Sequence, residues 1–582
     1  MSESPHRVRT DGALNPDQRA GALRELRATT AAQPLDLLIV GGGVVGNGAA
    51  LDAAARGLRV GLIEMQDLAA GTSSRSSRLA HGGLRYLEQR EFSLVHEALT
   101  ERGLLLDRLA PHLVRPVPFL FPVAKHWQRP YVASGIRLYD LLSRVGAYGG
   151  SMPRPKSLTR DQAKALAPDL DSDHIAGAVR FHDAQIDDAR HTVALARTAA
   201  SFGAQVATRV MATGLLYEED QVIGVIARDT FDPEGPSLNI YARCVVGAAG
   251  VWTDDLIHQA DAHAPGRVQQ SKGVHLVVPA SAIRSTTAII ARTAASVLFL
   301  LPWGKYWLIG TTDTPWGAGT EEDGDPAEPV ATSTDIDYLL EQANHWLARP
   351  ITRNDVVATY AGLRPLLAGD GESDETTTLS REHSVFRPRP GLILIAGGKY
   401  TTYRVMACDV VDAAVDYISS HAPTPLVPLR AIAESTTQDI PLSGADGYAE
   451  EWAHRAQIAA ERGMTVEAIE GLLRRHGDRM SEVFAVIDLD PTMAEPLNDG
   501  MPYLRAEVVV AVTKSGALSL DDVLTRRLRV TLETKDHGVA ASVAAAPIMA
   551  KLLQWSPAQQ EESVREFARN TLAARLYETS TP

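Results

Sequence analysis

The run LDLLIVGGGVVGNGAALDAAARGLRVGLIEMQD, residues 35–67, narrows the fold more than any other part of this chain. Leu35–Val40 is a short apolar strand pattern that passes directly into Gly41-x-Gly43-x-x-Gly46. A helical pattern rich in alanine follows (Ala49, Ala50, Ala53, Ala54), then a second strand that ends on Glu64. In a unit of this kind the first glycine allows the tight turn and the second lets a pyrophosphate approach the backbone. The third lets helix and strand pack closely. The helix N-terminus turns unpaired N–H groups and partial positive charge toward the phosphates. A carboxylate at the end of the second strand holds ribose hydroxyls, and Glu64 would repel the 2′-phosphate of NADP. A chance cluster of loop glycines does not explain strand, turn, helix, strand and acid in register.

Two distant segments separate FAD from NAD. GLILIAGGKYTTYRVMACDVVDAAVDYI (391–418) reads as a strand, a Gly397-Gly398 turn and a helix starting near Thr401. ARCVVGAAGVWTDDL (242–256) reads as a strand ending near Gly250 and Trp252. Pieces so far apart returning to one nucleotide domain favour a flavoprotein with a substrate domain inserted.

The expected organisation is a flexible tail over 1–33 with at most one short helix, an FAD-dependent oxidoreductase unit over 34–425 and a C-terminal helical domain over 430–582. Within the unit, the Rossmann-like FAD-binding part takes roughly 34–110, 175–260 and 355–425, and a mixed or antiparallel β-sheet substrate part takes roughly 111–174 and 261–354. The proline-containing stretch 419–447 reads as a linker. Beyond it, Thr465 should cap a helix that stops at Gly477, and Ser519 should cap another with Asp522 and Arg526 as an i,i+4 pair. The 582 residues carry a formal charge of −14, which argues against nucleic acid as a partner but leaves room for a local basic pocket. The two cysteines form no disulfide framework or metal spacing, so no metal is expected, and they suit a reducing cytosol. The N-terminal residues lack a signal-peptide core, and no apolar run is long enough to span a membrane.

In this acidic chain the stretch TSSRSSRLAHGGLRYLEQ (72–89) holds no acid from Thr72 to Leu87. Together with GGGVVGNGAALDAAARGL, DDAR, KGVHLVVP, IGTTDT, AGLRPL, GGKYTTYR and LDDVLTRRLR, it resembles the FAD-dependent glycerol-3-phosphate dehydrogenases, which have the D-amino-acid-oxidase-like flavoprotein fold. The motifs occur in the family's order from about Leu35 to Arg404.

The resemblance implies oxidation of sn-glycerol 3-phosphate at C2 to dihydroxyacetone phosphate, with hydride passing to FAD. Such chemistry needs a phosphate site, a proton acceptor and stabilisation of negative charge on the cofactor. Candidates for the phosphate are Arg85, Arg364, Arg381 and Lys399, because a guanidinium pairs two phosphate oxygens at once. Tyr86 and Thr401 are further substrate-binding candidates. His81 and His275 are candidates for handling the proton, and the alternative between them stays open. The cofactor set is Gly41, Gly43, Gly46, Glu64, Ser73, Ser74, Ser76, Ser77, Gly250, Trp252, Gly398, Lys399, Thr401 and Thr402. The helix after Lys399 should direct its N-terminus at the isoalloxazine ring.

The family's electrons usually pass to a membrane quinone. Segment 124–150 interleaves Lys125, Arg129, Arg137 and Arg144 with Trp127, Tyr131, Tyr139 and Tyr148, a composition suited to a membrane surface. The expected location is therefore the cytoplasm, peripheral to the cytoplasmic face of the inner or plasma membrane, and family analogy adds a homodimer. Alternatives are an oxidase that uses O₂, an amine or amino-acid oxidase of the same fold, and a silent flavin-binding scaffold. The density of cations argues against the amino-acid oxidase, and the intact His81, Arg85, Arg364 and Lys399 argue against the scaffold.

Overall fold

The computed structural model describes residues 10–88, 91–145, 152–171, 173–293, 297–317, 325–368, 382–421 and 432–579. Two sheets and a helical C-terminal part make up the fold.

The first sheet has parallel strands in the order Leu392–Gly397, Leu238–Gly247, Leu35–Val40, Val60–Glu64 and Gln205–Thr208. The distant segments thus return beside the first strand, with Leu37 opposite Cys244 and Val245 opposite Leu392. Helices cover these strands on one face, and the other face packs Leu38, Ile63, Val245 and Leu394 into a second core. Burial on both sides explains why the sequence shows continuous apolar runs rather than alternation. The alanines of helix Val44–Ala55 let helices Asp188–Ser201 and Tyr403–His421 approach it closely. A Cβ on Gly48 would sit 3.0 Å from Tyr403 and 3.1 Å from Ala407.

The second sheet has ten strands and is mostly antiparallel, with one parallel pairing between Ala288–Arg292 and Val114–Val123. Strands Gly177–Ile186 and Ala358–Leu367, expected within the nucleotide part, lie here instead. Their ladder partners are Val114–Val123 and Val268–Pro279. A strand's own pattern specifies its buried face but not its neighbour, so the boundary between the two parts shifts.

Two further expectations are corrected. The N-terminal region is not a free tail from residue 10 onward. Asn15 caps helix Pro16–Arg27, Ala22 and Leu26 are buried, and Arg19 donates to Thr208 O and Asp229 on the sheet edge. The proline-containing stretch is also partly packed: Ile440 and Leu442 are buried, and Leu442 N donates to Leu109 O at 2.9 Å. Thr465 does cap helix Val466–His476, accepting from Ala468 N, and Gly477 follows with φ of 58°. Asp522 and Arg526 pair at 2.7 Å, but both are buried, and Arg526 also donates to Asp67 beside the nucleotide turn. The expected i,i+4 pair thus also forms a buried tie between the C-terminal helices and the first sheet.

Candidate active site

A cavity of about 600 Å³ runs along the C-terminal ends of the parallel strands to the second sheet. At one end, Gly41 turns with φ of 118°, and a Cβ on Gly46 would fall 1.9 Å from Gly41 O, so the helix starts hard against the turn. Helix Val44–Ala55 has no side-chain cap of its own at Gly43. Ser73 supplies one from a distance, accepting from Val44 N at 2.9 Å. Glu64 accepts from Gly42 N at 2.6 Å and from Gln66 N at 2.7 Å. Burial raises its pKa against these hydrogen bonds, and the carboxyl lines the cavity where a ribose would lie. Trp252 closes this region over Gly71, whose Cβ would meet the indole at 3.2 Å.

At the other end the chemistry-bearing side chains converge. His275, buried on the second sheet, shares a hydrogen bond of 2.9 Å between Nε2 and Ser77 Oγ. Its ring stacks on Tyr360 of the neighbouring strand at 4.7 Å and 5°. Burial, reinforced by the Arg364 and Arg78 charges, pushes its pKa down to about 3, so the imidazole is neutral at pH 7. The opposing residue must be glycine, because a Cβ on Gly310 would lie 2.2 Å from the ring. Arg364, also on the second sheet, donates to Thr311 Oγ1 at 2.8 Å and Thr312 O at 3.0 Å. Lys399 follows Gly397 and Gly398, with φ of 77° and 84°, and its Nζ stands 3.6 Å from the Tyr86 ring centroid. Tyr86 is seated by the turn at Gly83, where φ is 80° and a Cβ would collide with the ring. His81 N donates to Thr401 Oγ1 at 3.1 Å, and the Thr401 hydroxyl returns a hydrogen bond to His81 O at 3.3 Å.

The cavity therefore gathers Gly41, Gly43, Glu64, Ser73, Ser76, Ser77, Gly250, Trp252, Gly398 and Thr401 with His81, Tyr86, His275, Arg364 and Lys399. Gly46, Ser74 and Thr402 stand behind this lining: Gly46 packs the turn, Ser74 O accepts from Arg529, and Thr402 is buried at the start of helix Tyr403–His421. Arg85 lies in helix Leu84–Glu88, but its side chain, like Arg381, is outside the described residues. A 3₁₀ turn, Tyr400–Thr402, precedes the helix expected to start near Thr401. The serines do more structural work than expected, since Ser76 donates from both N and Oγ to Asp188 Oδ2.

Sequence reasoning missed a set of positioning groups. Arg529 of the C-terminal part donates to Asp187, Asp188 and Ser74 O, reaching the serine turn directly. Arg78, fully buried, stacks 4.1 Å over Trp303. The DDAR and TRRLR motifs were the available signals, but only tertiary contact shows that they meet.

The surface helix Gln128–Val145 is amphipathic, and Trp127 just before it and Tyr131 and Leu141 within it are well exposed, at 65%, 64% and 58%. Tyr139 is corrected: it points inward, accepting from Gly82 N and donating to Asp183, both at 2.7 Å. Arg144 is paired with Asp140, and Tyr148 lies outside the described residues. Among the described residues no helix is long and apolar enough to cross a membrane.

Residues 36–404 match the FAD dependent oxidoreductase family, and 435–560 match the C-terminal domain of alpha-glycerophosphate oxidase. The chain is 47% identical over 556 residues to a glycerol-3-phosphate dehydrogenase of Mycobacterium leprae, covering 95% of this chain and 90% of that protein. It is 34% identical over 582 residues to the human mitochondrial glycerol-3-phosphate dehydrogenase, covering 96% of this chain and 75% of that one. The Bacillus halodurans glycerol-3-phosphate dehydrogenase complexed with FAD superposes with a TM-score of 0.77 at 26% identity, over 98% of this chain and 100% of that one. With a glycine turn, a helix N-terminus and a carboxylate arranged to fit FAD, the chain belongs to the FAD-dependent glycerol-3-phosphate dehydrogenase family.

Proposed function

We propose that this enzyme oxidises sn-glycerol 3-phosphate to dihydroxyacetone phosphate and passes the electrons to a membrane quinone. The observation that carries the reading is that Arg364, Lys399, His81 and His275 line the same cavity as the Gly41 turn and Glu64, which fit FAD.

FAD, when bound, supplies the hydride acceptor for C2. Arg364 and Lys399, with Arg85 and Arg381, supply the positive charge for a phosphate dianion, and the planar guanidinium fixes its orientation. In this reading the C2 end of the substrate faces the two histidines. His275 Nδ1 is enclosed by protein, so Nε2, at the Ser77 hydroxyl, is the nitrogen that takes the C2 hydroxyl proton. His81, tied through its backbone to Thr401, orients the substrate at the same end. Tyr86 and the apolar walls exclude water from the reacting carbon.

The exposed aromatic and basic face of helix Gln128–Val145 supports docking on the membrane surface, where a quinone is reached. Anaerobic mixing of the FAD-loaded enzyme with glycerol 3-phosphate should bleach the flavin spectrum, whereas glycerol or an amino acid should not. Reoxidation faster with a soluble quinone than with O₂, without stoichiometric peroxide, supports the quinone acceptor; fast peroxide release makes the protein an oxidase. Flotation with anionic vesicles that is lost in Trp127→Ser/Tyr131→Ser tests the surface.

A further inference from the structure

A second, smaller cavity lies where helix Asp188–Ser201 meets the C-terminal helices Val466–His476 and Arg505–Lys514. At about 40 Å³ it has room for a few waters or one small ion. Arg190, Arg197, Arg475, Arg479 and Arg527 line it, with Glu507 the one carboxylate among the described lining residues.

That carboxylate is already saturated. Glu507 accepts from Arg475 Nε and Nη2 and from Leu504 N, and shares a hydrogen bond with His476. Arg197 is held by Glu482, and Arg527 by Asp67. Arg190 is paired more loosely, donating to two neutral carbonyls, Arg475 O and Arg527 O. Its nearest acid, Asp187, is 3.7 Å away and also engages Arg529. Arg479 has Asp478 only at 3.8 Å, and its buried Nε lacks a hydrogen-bond partner. The Ser443 hydroxyl and Nδ1 of His112, a residue 5% exposed, are likewise buried without one. The rim is formed by two touching turns, since a Cβ on Gly477 would fall 1.7 Å from Gly444 O. Unpaired polar atoms, guanidinium groups whose acids stand only at 3.7 and 3.8 Å, and a cavity of ionic size thus coincide at one place.

We propose that this cavity binds a free inorganic oxyanion of the phosphate class, held by Arg190 and Arg479 with the Ser443 hydroxyl completing the shell. Guanidinium groups match tetrahedral oxyanions through paired N–H donors. The small volume favours the bare ion over a phosphoester, whose organic part has no space here. Bound there, the ion ties the C-terminal helices to the helix whose first residue, Asp188, holds Ser76 of the cofactor site. This goes beyond the substrate assignment, and its test reads binding rather than turnover.

Calorimetric titration of the FAD-loaded, full-length enzyme with inorganic phosphate, in the presence of saturating dihydroxyacetone phosphate, should reveal one saturable site that the triose phosphate does not displace. Arg479→Gln and Ser443→Ala should each weaken that site, the former by at least about tenfold, while leaving turnover in phosphate-free buffer unchanged. Complete displacement by the triose phosphate overturns the proposal. So do the absence of saturable binding and titrations in both variants that match the unmodified enzyme.

Discussion

Ser77 Oγ and His275 Nε2 are hydrogen-bonded at 2.9 Å, although 198 residues separate them in the chain. One stands in the serine turn beside the nucleotide site and the other on the second sheet. The contact, with the stacking on Tyr360, joins the serine turn to the second sheet across the cavity. Ser77→Ala should therefore lower kcat by about an order of magnitude with KM changed less than about threefold, because orientation is lost rather than phosphate binding. Steady-state kinetics with glycerol 3-phosphate checks it, and an unchanged kcat removes the pair from the mechanism.

The two histidines should differ in kind from the cations. His275→Ala, which removes the proton acceptor, and His81→Ala, which removes an orienting side chain, should each depress kcat far more than substrate affinity. Arg364→Gln should raise KM by about 100-fold, since a bidentate phosphate contact is lost, and should narrow the preference for glycerol 3-phosphate over glycerol. Comparable KM in Arg364→Gln and the unmodified enzyme would place the phosphate elsewhere.

Arg529 holds Asp187, Asp188 and Ser74 from the C-terminal part, and all but Asp187 are exposed over less than a tenth of their surface. Arg529→Met leaves two carboxylates facing an apolar group. Stability should fall by about 3 kcal/mol, and FAD should dissociate more readily on dilution. Denaturant unfolding and flavin fluorescence report the two effects separately.

Burial pushes His112, His191 and His275 each down to about 3. A histidine depressed in the folded state binds its proton first in the unfolded chain. Its contribution to stability is therefore complete above about pH 6.5 and is lost as pH falls from there toward 3. Between pH 7.5 and 5.5 each should cost on the order of 1 kcal/mol. His191→Gln should flatten the pH dependence of unfolding relative to the unmodified protein, which isolates this histidine from Glu533, whose carboxyl burial raises to about 7. A parallel pH profile in the variant contradicts the assignment.

The nucleotide half was legible in the chain because its signals are local. The turn at Gly41, the close approach at Gly46 and the carboxylate of Glu64 are set by residues within about one βαβ unit, where spacing along the sequence is spacing in space. The same holds for the cap at Thr465. Tyr139 shows the opposite case. Its aromatic-basic neighbourhood suggests a membrane face, yet the hydroxyl is spent on Gly82 N and Asp183, because which side of a helix is buried depends on what packs there.

By itself, the sequence determined an FAD-binding oxidoreductase with distant segments in one sheet and an enzyme family marked by its motifs. Only the tertiary structure decided that Ser77 meets His275, that Arg529 reaches Asp188, that Arg526 binds Asp67, and that the strand Gly177–Ile186 joins the second sheet. The physical reason is range. Turns, caps and hydrophobic periods are short-range consequences of residue type, whereas a buried charge or ring finds its partner only when the folded chain removes water from both.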